Sequence, residues 1–215
     1  MQIARQLDYW EGTYRRSSGV LYPSQFAVFV VGQSMGIDTI VDIGCGNGRD
    51  SSFFSRSGFT VVGVDGSHEA IAQCKKNLTD HQYSNASFLR HEISDASMLD
   101  AVQSCLAEKA SRPKIVYSRF FLHAITKDDQ NTFLARSKAL LANGGFLALE
   151  FRTSKDASLP KKSEPHFRRY ISSHEIISSL RDYSLSVSYF VEGFGYANYM
   201  DEDPHIARLV AGHTQ

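Results

Sequence analysis

Residues 41–50, "VDIGCGNGRD", set Gly44, Gly46 and Gly48 into five positions directly behind an apolar run. Glycine loses more backbone freedom on folding than any other residue. Three of them at the end of a strand therefore call for close approach to the main chain, by a ligand or by another segment. A short apolar strand, a glycine turn and a helix N-terminus together make a site for the polar part of a ligand. Asp65 follows Gly44 by 21 positions, at the tip of a second apolar run, "TVVGVD". An acidic residue about 20 positions on is placed to accept ribose hydroxyls. The implied ligand carries a ribose and lies across the ends of the first two strands. A plain tight turn is the alternative for the glycines taken alone, and Asp65 in register narrows it.

The rest of the chain supplies the scaffold such a turn needs. Buried strands read at "TIVDIG", "TVVGVD", "ASFLRHE", "KIVYSRF" and "FLALEFRT", with helices at "RDSSFFSRSG", "SHEAIAQCKKNL", "MLDAVQSCLAEK" and "TKDDQNTFLARSKALLANGG" between them. Strict alternation from 39 to 153, with strands apolar on both faces, specifies a parallel sheet covered on both sides. After the helix "SHEIISSLRD", the strands "LSVSYFVEGFG" and "IARLVAG" have no helix between them and read as a terminal antiparallel hairpin. The expected fold is α/β: a Rossmann-like, doubly wound, mainly parallel seven-stranded sheet with helices on both faces. One domain spans 1–215, with an N-terminal helical cap over 1–36, a core over 37–215 and one long polar loop at 154–170. Residues 3–35 read as helical with a break near "RRSSGVLYPSQ", Pro23 opening a new helix that carries Phe26, Phe29 and Val30.

Charge balance excludes several partners. Lys plus Arg equals Asp plus Glu at 23 each, so no overall field draws the chain to nucleic acid or to a membrane surface. No run approaches the roughly 18 apolar residues that span a bilayer, and "MQIARQLDYW" does not read as a leader peptide. Cys45, Cys74 and Cys105, odd in number and widely spaced, suit free thiols in a reducing cytoplasm. No CxxC or HxxxH pattern occurs, so no metal is expected.

Two ribose-bearing cofactors compete for the turn. A nicotinamide dinucleotide wants GxGxxG or GxGxxA, yet here the glycines read GxGxG and Arg49 takes the place of the third small residue. Asp42, just before the turn, would repel a pyrophosphate and hold an ammonium. S-adenosylmethionine has an ammonium and a carboxylate where a dinucleotide has pyrophosphate. "VDIGCGNG" followed by "VVGVDGS" resembles the first two motifs of class I S-adenosylmethionine-dependent methyltransferases of the small-molecule type. The similarity continues through "VYSRFFLHAI" and "LLANGGFLALEF", covers about residues 39–153, and extends to the terminal hairpin. The resemblance implies S-adenosyl-L-methionine as cofactor and S-adenosyl-L-homocysteine as product. It puts the methionine part at Asp42, Gly44, Cys45 and Gly46, the ribose on Asp65, and the adenine beside Gly66 and Ser67. An acidic residue near the adenine amino group corresponds to Glu92, with the Ile93 backbone next to it; Asp95 is a competing candidate.

Ligands bind outside the carboxyl ends of the strands at the switch point, so the loop after the fourth strand borders the methyl to be transferred. Tyr117, Ser118, Arg119, Phe120 and His123 belong to it. Tyr117 is expected against the cofactor. His123, near its ordinary pKa of about 6.5, suits a general base; the alternative is that it packs or caps the helix that follows. Arg119, Arg152, His166, Arg168, Arg169 and Tyr170 are expected to gather on one rim, and arginine forks suit carboxylates and phosphates. The acceptor expected from them is a small anionic metabolite, such as a sugar phosphate, a nucleotide-linked sugar or a carboxylate, methylated on oxygen or nitrogen. A solvated loop with ordinary salt bridges is the plainer alternative. The N-terminal segment is expected to fold over the cofactor, with Tyr14 facing the methyl. The competing functions are a non-catalytic S-adenosylmethionine-binding partner subunit and a nicotinamide-dependent oxidoreductase. A nucleic-acid methyltransferase would want a basic face or an Asn/Asp-Pro-Pro-Tyr loop where this chain has "YSRF".

Overall fold

The computed structural model describes residues 2–16, 22–81, 85–198 and 202–213. Seven strands form one sheet: β1 (Thr39–Ile43), β2 (Thr60–Asp65), β3 (Ala86–Arg90), β4 (Lys114–Arg119), β5 (Gly145–Arg152), β6 (Leu185–Gly193) and β7 (Ile206–His213), in the order β3-β2-β1-β4-β5-β7-β6. The first five run parallel, and β7 inserts antiparallel between β5 and β6. The expected doubly wound sheet with a terminal hairpin is what the chain forms.

Both faces of the central strands are apolar because successive side chains point to opposite sides. Val41, Ile43, Val64, Val116 and Leu149 join one core, on which α5 (Met98–Leu106), α6 (Lys127–Leu140) and α7 (Ser173–Asp182) contribute Met98, Phe133 and Ile176. Ile40, Val61, Ile115, Tyr117 and Ala148 face the other, with Phe26 of α2 (Gln25–Gly32) and Phe54 of α3 (Arg49–Arg56). The sheet is thus closed from both sides and opens at the carboxyl ends of β1 and β4, where chain connections depart in opposite directions.

The N-terminal region holds α1 (Gln2–Arg16) and α2; the break expected at 17–21 lies outside the described residues. Pro23 does not open α2. Ser24 is the N-cap, its Oγ accepting from Ala27 N at 3.0 Å, and Pro23 precedes it. A hydroxyl cap satisfies a free helix N–H, which proline at the first turn does not do. No helix among the described residues is long and apolar enough to cross a membrane.

Charge inside the sheet has an ordered form. Arg119 on β4, Glu150 on β5 and Arg208 on β7 are register neighbours across three adjacent strands. Glu150 is buried, and it accepts from Arg119 Nε at 2.6 Å on Oε1 and from Arg208 Nε at 2.5 Å on Oε2. Removing the carboxylate would leave two guanidiniums without their counter-charge, which costs about 3–5 kcal/mol for a buried pair. Glu150→Met is therefore expected to lower the free energy of unfolding by that amount, read in urea as a lower midpoint at unchanged m-value. A loss under about 1 kcal/mol, the range of exposed pairs, would show that the row is not a structural element.

Candidate active site

The turn after β1 is pinned to the end of β2. Val64 O accepts from Gly44 N at 2.8 Å and from Cys45 N at 3.1 Å. Gly46 N donates to Asp65 Oδ2 at 2.9 Å, and Ser67 N to Asp65 Oδ1 at 2.9 Å. Gly44, Gly46 and Gly48 all adopt left-handed backbone, at φ of 77°, 55° and 77°. A Cβ at Gly44 would meet the Phe121 ring at 2.5 Å, at Gly46 the Tyr14 hydroxyl at 2.6 Å, and at Gly48 the Cys74 sulfur at 2.8 Å. The glycines thus admit three neighbours from three different elements. Several of the N–H groups expected to face a ligand are turned to Val64 and Asp65 instead.

Above this turn a cavity of about 710 Å³ runs along the carboxyl ends of β2, β1 and β4. Its wall brings together Tyr14, Asp42, Gly44, Cys45 and Gly46 at the turn, Asp65, Gly66, Glu92 and Ile93 on one side, and Tyr117 and Arg119 on the other. Of the residues expected around the cofactor, Ser67 and the competing candidate Asp95 are off the wall: Ser67 Oγ caps α4 (His68–His81) by accepting from Ala70 N at 3.1 Å, and Asp95 Oδ2 pairs with His91 Nδ1 at 2.6 Å.

The end near β2 is acidic. Burial raises the Asp42 carboxyl to a pKa of about 8; the charges of Asp50 and Asp65 add to this, and the Ser51 hydroxyl, donating to Oδ2 at 2.5 Å, opposes it. Burial likewise raises Asp65, with Glu11 adding, against the pull of its backbone donors. Helix α1 closes this end. Its Glu11 carboxylate accepts from His68 N at 2.7 Å, Glu69 N at 2.9 Å and Ser67 Oγ at 3.0 Å, at the N-terminus of α4. Burial works against that carboxylate, yet the two backbone donors prevail and hold its pKa below the usual value. On its other side α1 stacks Tyr9 on His166 at 4.0 Å, joining the polar loop.

The end near β4 has a different character. Asp50 accepts from Ser24 N on Oδ1 at 2.8 Å, and from Ser24 Oγ at 2.8 Å and Tyr117 Oη at 2.7 Å on Oδ2. Tyr117 thus lines the cavity while its hydroxyl is tied to Asp50. Phe120 lines the wall too, with φ of 55° and Arg119 stacked 4.2 Å above its ring. Few non-glycine residues sit in this left-handed region.

His123 is not on the cavity wall. It is buried, edge-on to Phe120 with ring centroids 5.4 Å apart, and its Nδ1 faces Arg152 N at 3.4 Å. Burial and then the charges of Arg152, Arg168, His166 and Arg119 drive its pKa well below the usual value, so the ring is neutral. Nor does the polar loop deliver its cations to the wall. Arg152 pairs with Asp156 at 2.8 Å and with Glu202, and Arg169 donates to Gln130 Oε1 at 2.6 Å and Ile125 O at 3.1 Å. Arg168 turns to Ser163 Oγ at 2.9 Å, and Tyr170 lies 5.5 Å from the Lys161 ammonium. Of the six rim residues expected, Arg119 alone reaches the cavity.

Asp50, Glu150 and Arg208 escaped the sequence reading. A visible signal existed for Glu150: a carboxylate within "FLALEFR", a strand buried on both faces, requires a charged partner.

Comparison with known proteins places this geometry. Residues 40–145 match the family model described as a methyltransferase domain. Among curated proteins no relative matches by sequence. An S-adenosylmethionine-dependent methyltransferase from Anabaena variabilis is 18% identical over 100% of this chain and 96% of its own, with a TM-score of 0.74. Magnesium protoporphyrin IX methyltransferase from Synechocystis, solved with bound S-adenosylmethionine, is 16% identical over 99% of this chain and 96% of its own, at 0.65. A 4+2 cyclase has the same fold at 12% identity, covering 99% of this chain and 94% of its own, at 0.72.

The donor set fits a cationic cofactor: three carboxyls, Asp42, Asp65 and Glu92, line one end of the cavity. Asp42 gives that fit a measurable signature. At pH 7 its carboxyl, with a pKa of about 8, is largely protonated, and holding an ammonium requires the carboxylate. Binding therefore releases a proton below about pH 8, and by linkage affinity rises with pH until that point and levels off above it. Calorimetry of S-adenosylhomocysteine in two buffers of different ionisation enthalpy is expected to show this release at pH 7, and Asp42→Asn to lose it. Proton-neutral binding by the wild type would remove Asp42 from the methionine end.

Proposed function

We propose that this chain, which carries a methyltransferase-domain match over residues 40–145 and the fold of S-adenosylmethionine-dependent methyltransferases, is such an enzyme, and that it methylates an oxygen or nitrogen of a small anionic acceptor that arrives unprotonated. The observation that carries this reading is the wall of the cavity beside β4, which presents Arg119 and Phe120 while His123 stands behind them.

The cofactor supplies a methyl group on a cationic sulfonium, so the leaving group needs no acid. What remains for the protein is alignment of the nucleophile and exclusion of water. Asp42, Asp65 and Glu92 place carboxyls at the end proposed to hold the cation, where Asp42 gives up its proton on binding. Helix α1, fastened to α4 by Glu11 and to the polar loop by Tyr9, covers that end against solvent. Tyr14, packed on Gly46, has its hydroxyl held protonated by desolvation and by the charge of Asp65. It is a donor there, not a base. Asp50 has both oxygens engaged by Ser24 and Tyr117. An amine, a carboxylate or an acidic hydroxyl is a nucleophile without assistance, and a cavity wall built this way favours such groups over an ordinary alcohol. The acceptor's negative charge falls to Arg119, since Arg152 and Arg169 are spent in other pairs.

Transfer of labelled methyl from S-adenosylmethionine to a panel of small amines, acids and phenols tests the reading, and a nicotinamide dinucleotide is expected not to bind. Activity confined to ordinary alcohols would overturn it. His123→Asn is expected to keep kcat within about tenfold, against the 10²–10⁴-fold loss typical of a general base, with the pH profile following the acceptor's own pKa. A rate lost by three decades with the fold intact would restore His123 as the base. Asp65→Ala is expected to weaken S-adenosylhomocysteine at least about tenfold, two charge-assisted bonds being worth roughly 1.5–3 kcal/mol each. The same change lowers stability, because Asp65 also holds Gly46 N and Ser67 N. Unchanged affinity would mean that the ribose lies elsewhere.

A further inference from the structure

Resting on the methyltransferase reading, we infer that Arg119 anchors a carboxylate carried by the acceptor, and that Glu150, Arg208 and Phe120 are positioning residues that hold its guanidinium in place.

The charges around β4 do not cancel. Arg49, Arg119 and Arg208 face two carboxylates, Asp50 and Glu150, with Arg49 Nε 3.4 Å from Asp50 Oδ1. Three guanidiniums against two carboxylates leave one positive charge over. Glu150 is fully used, one oxygen to each of its arginines. Arg208 spends its Nη2 on Tyr196 O. Asp50 is filled by Ser24 and Tyr117. Arg119 keeps free donors beside that excess: its Nε is bound to Glu150, and its Nη1 and Nη2 make no hydrogen bond among the described residues. The residue lines the cavity with a side chain only 17% exposed, so this charge is shielded from bulk water.

Its orientation is set on two sides. The ion pair with Glu150 fixes the Nε edge, and the Phe120 ring 4.2 Å below fixes the plane. Phe120 holds that ring in place from a left-handed backbone at φ of 55°, with its N–H donating to Glu150 O at 2.8 Å. Strained backbone at a cavity wall is where structure is held for a purpose. A planar guanidinium with one edge fixed offers two parallel donors, the match for a carboxylate. A single surplus charge suits one carboxylate and leaves the second charge of a phosphate unmatched. Tyr22 and Tyr196 line the same cavity, so the body of the acceptor is expected to be small and flat.

The test is calorimetry on the full chain saturated with S-adenosylhomocysteine, with benzoate, benzamide and inorganic phosphate as probes. Benzoate is expected to bind, with benzamide and phosphate at least about tenfold weaker. Arg119→Lys keeps a charge for Glu150 and loses the fork and the stack, so it is expected to weaken benzoate at least about tenfold and leave S-adenosylhomocysteine within about twofold. If Arg119→Lys proves unstable, Phe120→Leu and Phe120→Tyr replace it: the leucine is expected to weaken benzoate several-fold and the tyrosine, which keeps the ring, to restore it. No benzoate binding, equal binding of benzamide, tighter binding of phosphate, or benzoate affinity indifferent to these substitutions would overturn the inference. So would a loss of S-adenosylhomocysteine affinity in Arg119→Lys, which would assign the fork to the cofactor's own carboxylate. A wild-type protein that binds no S-adenosylhomocysteine would sink the methyltransferase reading itself, a result distinct from all of these.

Discussion

One carbonyl holds the site together. Val64 O, near the carboxyl end of β2, takes the N–H groups of both Gly44 and Cys45 and draws the loop after β1 across the top of its neighbour strand. Asp65, the next residue, repeats the connection through its side chain to Gly46 N. The loop is thereby a rigid floor, and its three left-handed glycines let Phe121, Tyr14 and Cys74 pack directly on the backbone. Everything else that borders the cavity is placed relative to this floor.

The cavity above it is electrically two-sided. Near β2 it presents the carboxyls of Asp42, Asp65 and Glu92. Near β4 it presents the guanidinium of Arg119, whose Nε is paired with Glu150. The two ends of the cavity thus differ in the charged side chains they present. Helix α1 finishes the enclosure because Glu11 replaces the missing hydrogen-bond partners at the start of α4, a place where an anion is favoured by the free N–H groups. The cap belongs to the fold of the site as much as the sheet does.

The antiparallel hairpin contributes charge as well as strands. Placing β7 beside β5 sets Arg208 opposite Glu150, and the parallel pairing of β4 with β5 sets Arg119 on its other side. No two of the three are close in sequence. A carboxylate shared in this way is fully compensated only when all three strands are in register, so the same contact that orients Arg119 also reports correct pairing.

The parallel sheet with its terminal hairpin, the glycine floor and the acidic end were legible in the chain because each depends on short-range pattern. Apolar runs of five or six residues in alternation with helices leave a parallel sheet as the economical packing, and Asp42, Gly44, Gly46 and Asp65 are placed by strand ends alone. The acceptor end was not legible. His123, Arg152, Arg168 and Arg169 lie at plausible positions along the sequence, yet where a long side chain points is decided by the partners it finds: Asp156 and Glu202 for Arg152, Gln130 for Arg169, a cage of cations for His123. Those partners come from segments up to 50 residues away. A strand's direction follows from local periodicity, whereas the pairing of a buried charge follows from which strands become neighbours, and only the folded sheet decides that.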